Sequence, residues 1–98
     1  MAQDTYNGWT NYETWNAYLW QRNVESTYKF FLEKAKHYSE MAGDDSDRVA
    51  AMADFIKIMV EHDAPNLPSS MYQDILANGL SRIDYYALAK AWLDDAKA

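Results

Sequence analysis

The sequence predicts an all-α protein, a compact single-domain bundle of about five helices with an irregular N-terminus. Apolar residues recur at helical spacing in several segments. The chain has only three Gly and two Pro, which disfavours a turn-rich β-sandwich or barrel. Alternating β-branched runs and glycine-rich turns, the marks of a parallel-sheet protein, are missing. With 98 residues, the chain is long enough for one domain with one small core, so residues 1–98 are expected to fold as a unit.

The first helix is predicted from Thr10 to about Arg22. The segment Thr10–Glu13 has the form of a capping box, in which the Thr10 hydroxyl accepts from the Glu13 N–H and the Glu13 carboxylate accepts from the Thr10 N–H. In this interpretation Trp9 is the last residue before the cap. The apolar stripe of the helix consists of Tyr12, Trp15 and Leu19.

The second and third helices are predicted over residues 25–42 and about 46–63. Gly43 is placed to supply the left-handed residue after the second helix. Residues 44–46 provide short oxygen-bearing side chains to cap the third, which ends before Pro65 because residues that precede proline avoid the α region. The two stripes are Tyr28, Phe31, Leu32, Ala35, Tyr38 and Ala42, and then Val49, Met52, Ala53, Ile56, Met59 and Val60.

Two shorter helices are predicted after a loop at residues 64–70. Ser70–Gln73 repeats the capping-box form, and Asn78-Gly79 is expected to end the helix that it opens. Asp84 is expected to cap the last helix. The stripe of that helix is Tyr85, Leu88, Ala89 and Trp92.

Composition and motifs exclude several function classes. The net charge is −6, and the chain lacks Cys, a secretory signal and an apolar run long enough to span a membrane, which favours a cytoplasmic protein of a bacterial host. The two His residues have no metal-ligand spacing, and no nucleophile or phosphate-binding motif is present. We therefore expect no metal, no cofactor and no enzymatic activity.

Several large apolar residues lie off the stripes of their helices. They have two interpretations: they are half-buried at the rim of the core, or they form a second interface, because exposed aromatic residues are enriched in binding hot spots. The candidates for partner binding are Tyr18, Trp20, Phe30, Ile58 and Tyr86, and Leu93 lies on the same line as Tyr86.

Asp47, Asp54 and Glu61 recur every seven residues on one face of the third helix, opposite Ile56. This acidic line is either a solvated helix face or a surface that docks onto a basic, nucleic-acid-binding groove of a partner protein. Its charges are sparse beside those of duplex DNA, so strong DNA mimicry is weakly supported. Direct binding of nucleic acid is not expected either, because the chain has no basic stripe.

The segment from Tyr6 to Trp20 contains NGWTNYETWN followed by a tryptophan-containing helix. It resembles a group of small uncharacterised proteins of bacteriophages, plasmids and some bacteria. Residues 83–92 look like a degenerate form of the closing helix of that group. The resemblance implies an accessory gene of a mobile element, often of the kind that modulates a host protein, and it brings no catalytic residues. The motif itself has a structural interpretation, in which Trp9 and Trp15 clamp the start of the helix, and a partner-binding one.

The sequence thus predicts a small non-enzymatic protein that binds another protein, most plausibly as an inhibitor or modulator of a host or anti-phage defence factor. Two alternatives stay open. One is a homo-oligomeric phage structural or accessory protein, whose exposed aromatic residues meet their own copies. The other is an acidic DNA mimic that acts through residues 44–63.

Overall fold

The computed structural model describes residues 5–97 and is all-α, as predicted. Within this range the helices are α1 (Tyr12–Asn23), α2 (Glu25–Ser39), α3 (Asp45–Asp63), α4 (Met71–Ser81) and α5 (Tyr85–Lys97), and the described residues contain no strand element. The irregular N-terminus is confirmed for residues 5–11.

Helix α5 lies at the centre of the bundle, because it packs extensively against both α2 and α3 and also contacts α1. The buried core contains Phe31 and Ala35 from α2, Met52, Ala53 and Ile56 from α3, and Leu88, Ala89, Trp92 and Leu93 from α5. The stripes predicted for these three helices therefore face the core, except for Ala42, which is exposed beyond the end of α2. The stripe predicted for α1 is wrong, because Tyr12 is half exposed and the helix instead packs Ala17 and Tyr18 against the core. Leu93 was predicted off the stripe and is instead buried, because a central helix has neighbours on several sides.

A tight turn precedes α1. Tyr6 and Trp9 exchange two backbone hydrogen bonds of 2.9 and 2.8 Å, and both Asn7 and Gly8 have positive φ. These features are those of a type I′ turn, for which Asn-Gly is the favoured pair. The turn sends the two tryptophans to different partners: the Trp9 ring lies 4.6 Å from that of Tyr18, and Trp15 packs against Tyr6.

The predicted capping box at Thr10 is wrong, because Asn11 is the N-cap of α1. The Asn11 side chain accepts from the Thr14 N–H at 2.9 Å and donates to the Arg82 carbonyl at 2.7 Å. The Thr10 hydroxyl instead donates to the Asp84 carboxylate at 2.6 Å. Both side chains thereby join the start of α1 to the start of α5, a tertiary link that the local motif does not reveal.

Helix α2 ends at Ser39, three residues before the predicted end at Ala42. The N–H of Glu40 and that of Met41 bond back three residues, which tightens the last turn and ends the helix. Gly43 does adopt positive φ, but it serves the next helix, since a Cβ atom there would lie 2.7 Å from the carboxylate of Asp47.

The predicted end of α3 is confirmed, and the helix begins slightly earlier than predicted, at Asp45. Asp44 is its N-cap, and Asp44 and Asp47 form a reciprocal capping box, in which each carboxylate accepts from the backbone N–H of the other. The helix ends at Asp63, two residues before Pro65. Asp47, one of the predicted acidic contact residues, is thus engaged in capping.

Helix α4 begins as predicted but does not end at Asn78-Gly79. The Ser70 hydroxyl accepts from the Gln73 N–H at 3.2 Å, and the helix continues through Gly79 to Ser81. Gly79 keeps helical geometry because the bonds that end the helix come later, from the Arg82 N–H to Gly79 and Leu80. Asp84 caps α5 as predicted, accepting from the Ala87 N–H at 3.1 Å.

Candidate functional site

The candidate site is an open, largely apolar groove between α1 and α4, with a volume of about 470 Å³. We call it the α1–α4 groove. Its main lining residues are Tyr12, Asn16, Ala17 and Trp20 from α1, Ile75, Leu76, Gly79 and Leu80 from α4, Val60 from α3, and Ile83 after α4. A concave, mostly apolar surface with a few polar groups is the usual form of a binding site.

The α1 wall is formed by Tyr12, Asn16 and Trp20, which follow one another at four-residue spacing on one side of the helix. Trp20 is 63% exposed although it lines the groove. Beneath this wall, Gln21 is buried and its side-chain carbonyl accepts from the indole N–H of Trp92 at 2.9 Å. This buried bond fixes the last turn of α1, and hence Trp20, relative to the core.

The α4 wall is thin, because each of the eleven residues of α4 is at least partly exposed. Leu76 and Leu80 are half-buried, whereas Ile75 is 63% exposed. Among the described residues, and apart from Gly79, its two chain neighbours and the nearby backbone of α4 itself, no atom lies within 4 Å of the position that a Cβ atom would take at Gly79. The absent side chain of Gly79 therefore leaves part of the groove open.

A second cavity of about 320 Å³ continues the groove toward α2 and the end of α3. The two cavities share Gln21, Val60, Leu76 and Leu80. The second one extends to Phe31, Met59 and Asp63, among others. The two cavities therefore adjoin each other, and we call them together the channel.

An ion pair closes the end of the groove near the start of α1. The Nε atom of Arg82 lies 3.2 Å from the Glu13 carboxylate. A hydrogen bond from the backbone N–H of Glu13, and then the contact with Arg82, lower the pKa of the Glu13 carboxyl below its ordinary value. Glu13 therefore lines the groove as a carboxylate at neutral pH.

Tyr18, a predicted contact residue, belongs to a half-buried polar cluster outside the groove. Its hydroxyl donates to the Asp95 carboxylate at 2.5 Å and accepts from Arg22 at 3.0 Å. Its ring packs against Trp9 and Trp92. Burial, followed by the bond to Asp95, raises the pKa of Tyr18 to about 12.

We expect Tyr18→Phe to change how stability depends on alkaline pH. The pKa of Tyr18 is higher in the folded protein than the ordinary value near 10, so its contribution is complete below pH 10 and is lost between pH 10 and 12. Because the side chain is partly exposed, that contribution is about 1–2 kcal/mol. Urea unfolding of both proteins at pH 9, 10, 11 and 12 should show their difference in unfolding free energy shrinking across this interval. A difference that stays constant would contradict the assignment.

The other predicted apolar contact residues do not join Trp20 in the groove. Phe30 packs against Phe31 and Phe55 at the edge of the core. Tyr86 is exposed, with its hydroxyl 3.5 Å from that of Ser46. Ile58 is 63% exposed on the outer side of α3.

The acidic residues predicted on α3 are exposed, as a solvated face requires. Asp54 and Glu61 flank Ile58 at helical spacing, and Asp47 is engaged in the capping box of the helix. Of the predicted contact residues, only Trp20 thus lines the α1–α4 groove.

Comparison with known proteins places the chain in a family. The model of a family of unknown function, DUF7249, matches residues 2–92. The chain belongs to DUF7249. No curated protein and no solved structure matches it. The match takes in all of α1 to α4 and most of α5, so the groove of this DUF7249 protein lies wholly within the family region.

Sequence reasoning missed the contribution of α4 to the site. Met71, Tyr72 and Ile75 are among the most exposed large apolar residues of this DUF7249 protein. A short helix with apolar residues on more than one side was the available signal, the same signal that singled out Trp20. Asn78-Gly79 is typical of a helix end, so the sequence does not indicate that Gly79 lies within a helix and lines the groove.

The described part of this DUF7249 chain has neither a metal-binding cluster nor a membrane-spanning helix. Residues 5–97 contain no group of three or more His, Cys, Asp or Glu residues that could hold a metal ion. No helix in the same range is long and apolar enough to cross a membrane.

Proposed function

We propose that this protein acts by binding another protein through the α1–α4 groove, and that it does so without catalysing a reaction. The observation that supports the proposal is Trp20, a large aromatic side chain held exposed against an apolar groove. Tryptophan is among the residues most enriched in binding hot spots, and hot spots cluster in pockets that become fully desolvated in the complex.

The surroundings of Trp20 support an extended contact. Tyr12 is half exposed on the same wall, and Ile75 faces it across the groove. Met71 and Tyr72, which are more than 60% exposed, lie one turn before Ile75 and Leu76 on α4. Contiguous exposed apolar surface of this kind marks interaction sites in proteins.

The biological role proposed for this binding is modulation of a host protein or of an anti-phage defence factor. It is supported by the resemblance of the NGWTNYETWN segment to proteins of bacteriophages and plasmids. We propose that the protein works in the bacterial cytoplasm, where such a partner would be found.

Filling the groove is expected to abolish binding without unfolding the protein. In Gly79→Leu, the new side chain extends into the open space of the groove, and replacing a helical glycine should raise helix stability by up to about 1 kcal/mol. Gly79→Ala, which adds only a methyl group, is the matched control. In pull-downs from lysate of the bacterial host, a partner should be retained by the wild type and Gly79→Ala and lost with Gly79→Leu.

The affinity for the same partner should depend on Trp20 and not on other exposed apolar side chains. Trp20→Ala is expected to weaken binding by about 2 kcal/mol or more, which is roughly 30-fold and the usual threshold of a hot spot. Ile58→Ala is the control, because Ile58 is equally exposed but lies away from the groove. A partner that binds all four variants as tightly as the wild type would refute the proposed site.

A further inference from the structure

We infer that the α1–α4 groove and the second cavity that adjoins it receive a single amphipathic helix of another protein, with a basic residue toward each end of its apolar stripe. The inference rests on the proposed function, because it specifies the partner of the same groove. It is drawn from the shape of the groove walls and from the charges at the two ends of the channel.

The walls of the groove favour a helix over an extended segment. They are formed by α1 and α4, whose main-chain N–H and C=O groups are largely engaged within the helices. The walls therefore offer no sheet edge to which an extended peptide could add a strand. Apolar side chains along two helices instead match the helix-in-groove mode, in which anchors at i, i+3 or i+4 and i+7 enter the groove.

The length of the groove sets the length of the occupant. Along α1 the lining runs from Tyr12 to Gln21, and along α4 from Ile75 to Leu80. At 1.5 Å per residue, the α1 wall is about 14 Å long. A partner helix of about three turns spans this wall, and further residues of that helix are needed to reach the second cavity.

The charged residues that line the channel indicate which residues the partner helix carries at its two ends. Among the described residues that line the channel, the charged ones are Glu13, on the side of α1, and Asp63, at the far side of α4. Of the two cavities, Glu13 lines only the α1–α4 groove and Asp63 lines only the second cavity, and Val60 and Leu80 line both. The contact with Arg82 offsets part of the Glu13 charge, but the protein as a whole carries −6. Basic residues at both ends of the partner helix complement this arrangement.

The same charges argue against a second copy of this chain as the occupant. A symmetric dimer places one surface patch against itself, so each acidic end would meet another acidic protein. α4 itself carries Asp74 and no Lys or Arg between Met71 and Ser81. Arg82, the basic residue at the end of the groove, is already paired with Glu13, so the groove is a poor receptor for an acidic helix.

The experiment uses three stapled 14-residue helices with one shared apolar stripe of Leu residues at i, i+3, i+7 and i+10. They differ only at the two ends, which carry Lys, Gln or Glu. Binding to the full chain is followed by fluorescence anisotropy of the labelled peptide at low salt. The Lys peptide is expected to bind at least about 10-fold more tightly than the Glu peptide, with the Gln peptide between them. Gly79→Leu should abolish binding of all three.

Two double variants locate the charges responsible. Glu13→Gln with Asp63→Asn should bring the affinity ratio between the Lys and Glu peptides close to one. Asp54→Asn with Glu33→Gln removes the same charge from exposed positions that do not line the channel, and should leave most of the ratio in place. If the second pair lowers the ratio as much as the first, the end charges of the groove do not select the partner and the inference is wrong.

The outcomes separate this inference from the proposed function. Equal affinities for the three peptides, all lost in Gly79→Leu, would overturn the basic ends and leave the groove as the binding site. Failure of all three peptides to bind at 1 mM would overturn the helical occupant, although a lysate partner lost with Gly79→Leu would still support the groove. A wild-type dimer in sedimentation that becomes a monomer in Gly79→Leu would replace the inferred partner with a second copy.

Discussion

Trp92→Ala is expected to lower the free energy of unfolding by about 3–5 kcal/mol, the largest effect of any single substitution considered for this protein. The Trp92 side chain is fully buried on α5. Its ring stacks on Phe31 with centroids 5.7 Å apart and contacts Tyr18 and Tyr28 from two other helices. Alanine would remove these contacts and leave a cavity where three helices meet.

Part of the loss is polar. The indole N–H of Trp92 donates to the side-chain carbonyl of Gln21, which is itself buried. Removing the donor leaves that carbonyl without this bond, which costs about 1–3 kcal/mol when the acceptor stays buried. This polar loss is already part of the expected total of about 3–5 kcal/mol. The cost of a large-to-small core substitution includes the hydrogen-bonding groups that lose their partners.

Urea unfolding followed by circular dichroism would measure the effect, with Trp20→Ala as the matched control. Trp20→Ala is the same substitution at an exposed position, so the unfolding free energy of this variant should be less than about 1 kcal/mol below that of the wild type. Because domains of this size have about 5–15 kcal/mol of stability in all, the core variant should unfold at much lower urea concentrations. Equal losses in the two variants would show that Trp92 is not the centre of the core.

The helices were predictable from the sequence because their signals are local. On α5, Leu88, Ala89 and Trp92 follow the helical period, and all three are buried. The acidic cap of α3 was equally clear, because residues 44–46 are good capping residues placed shortly before the apolar stripe that begins at Val49. In both helices, propensity, capping and periodicity favour the same structure, and packing does not override them.

The start of α1 and the groove could not be predicted, because they depend on residues that are distant in the chain. Thr10 and Asn11 are both good capping residues, and the choice between them is made by Asp84 and Arg82, more than 70 positions away. Asn78-Gly79 has the sequence of a helix end, yet the helix continues.

Large apolar residues that lie off the stripe of their helix indicate the site only in part. Trp20 is such a residue and lines the groove, but Leu93 is another and is buried in the core. A residue that lies off its own stripe is exposed only if no other helix covers that side. The helices that cover α5 are α2 and α3. The outer side of α1 instead faces α4 across the groove, and no local sequence pattern indicates this arrangement.

Thr14→Val is expected to lower the unfolding free energy by about 2–3 kcal/mol without changing side-chain volume appreciably. Thr14 is fully buried, and its hydroxyl has two partners. It donates to the side-chain carbonyl of Asn11 at 2.7 Å and accepts from the Asp84 N–H at 2.8 Å. Valine keeps the β-branched shape but strands the Asp84 N–H at the start of α5, and a stranded buried donor costs more than an ordinary hydrogen bond contributes.

A double-mutant cycle with Asn11 tests whether this junction is one unit. The Asn11 carbonyl accepts from both the N–H and the hydroxyl of Thr14, so Asn11→Ala removes bonds that Thr14→Val also disturbs. We expect the double variant to lose at least about 0.5 kcal/mol less than the sum of the single losses. Thr10→Val is the matched control, because Thr10 is exposed and its single bond to Asp84 should contribute only about 1 kcal/mol. If Thr14→Val cost no more than Thr10→Val, and the cycle were additive, the start of α1 would not be tied to α5 through Thr14. The wall that presents Trp20 would then be held mainly by Gln21 and Trp92 at the other end of the helix.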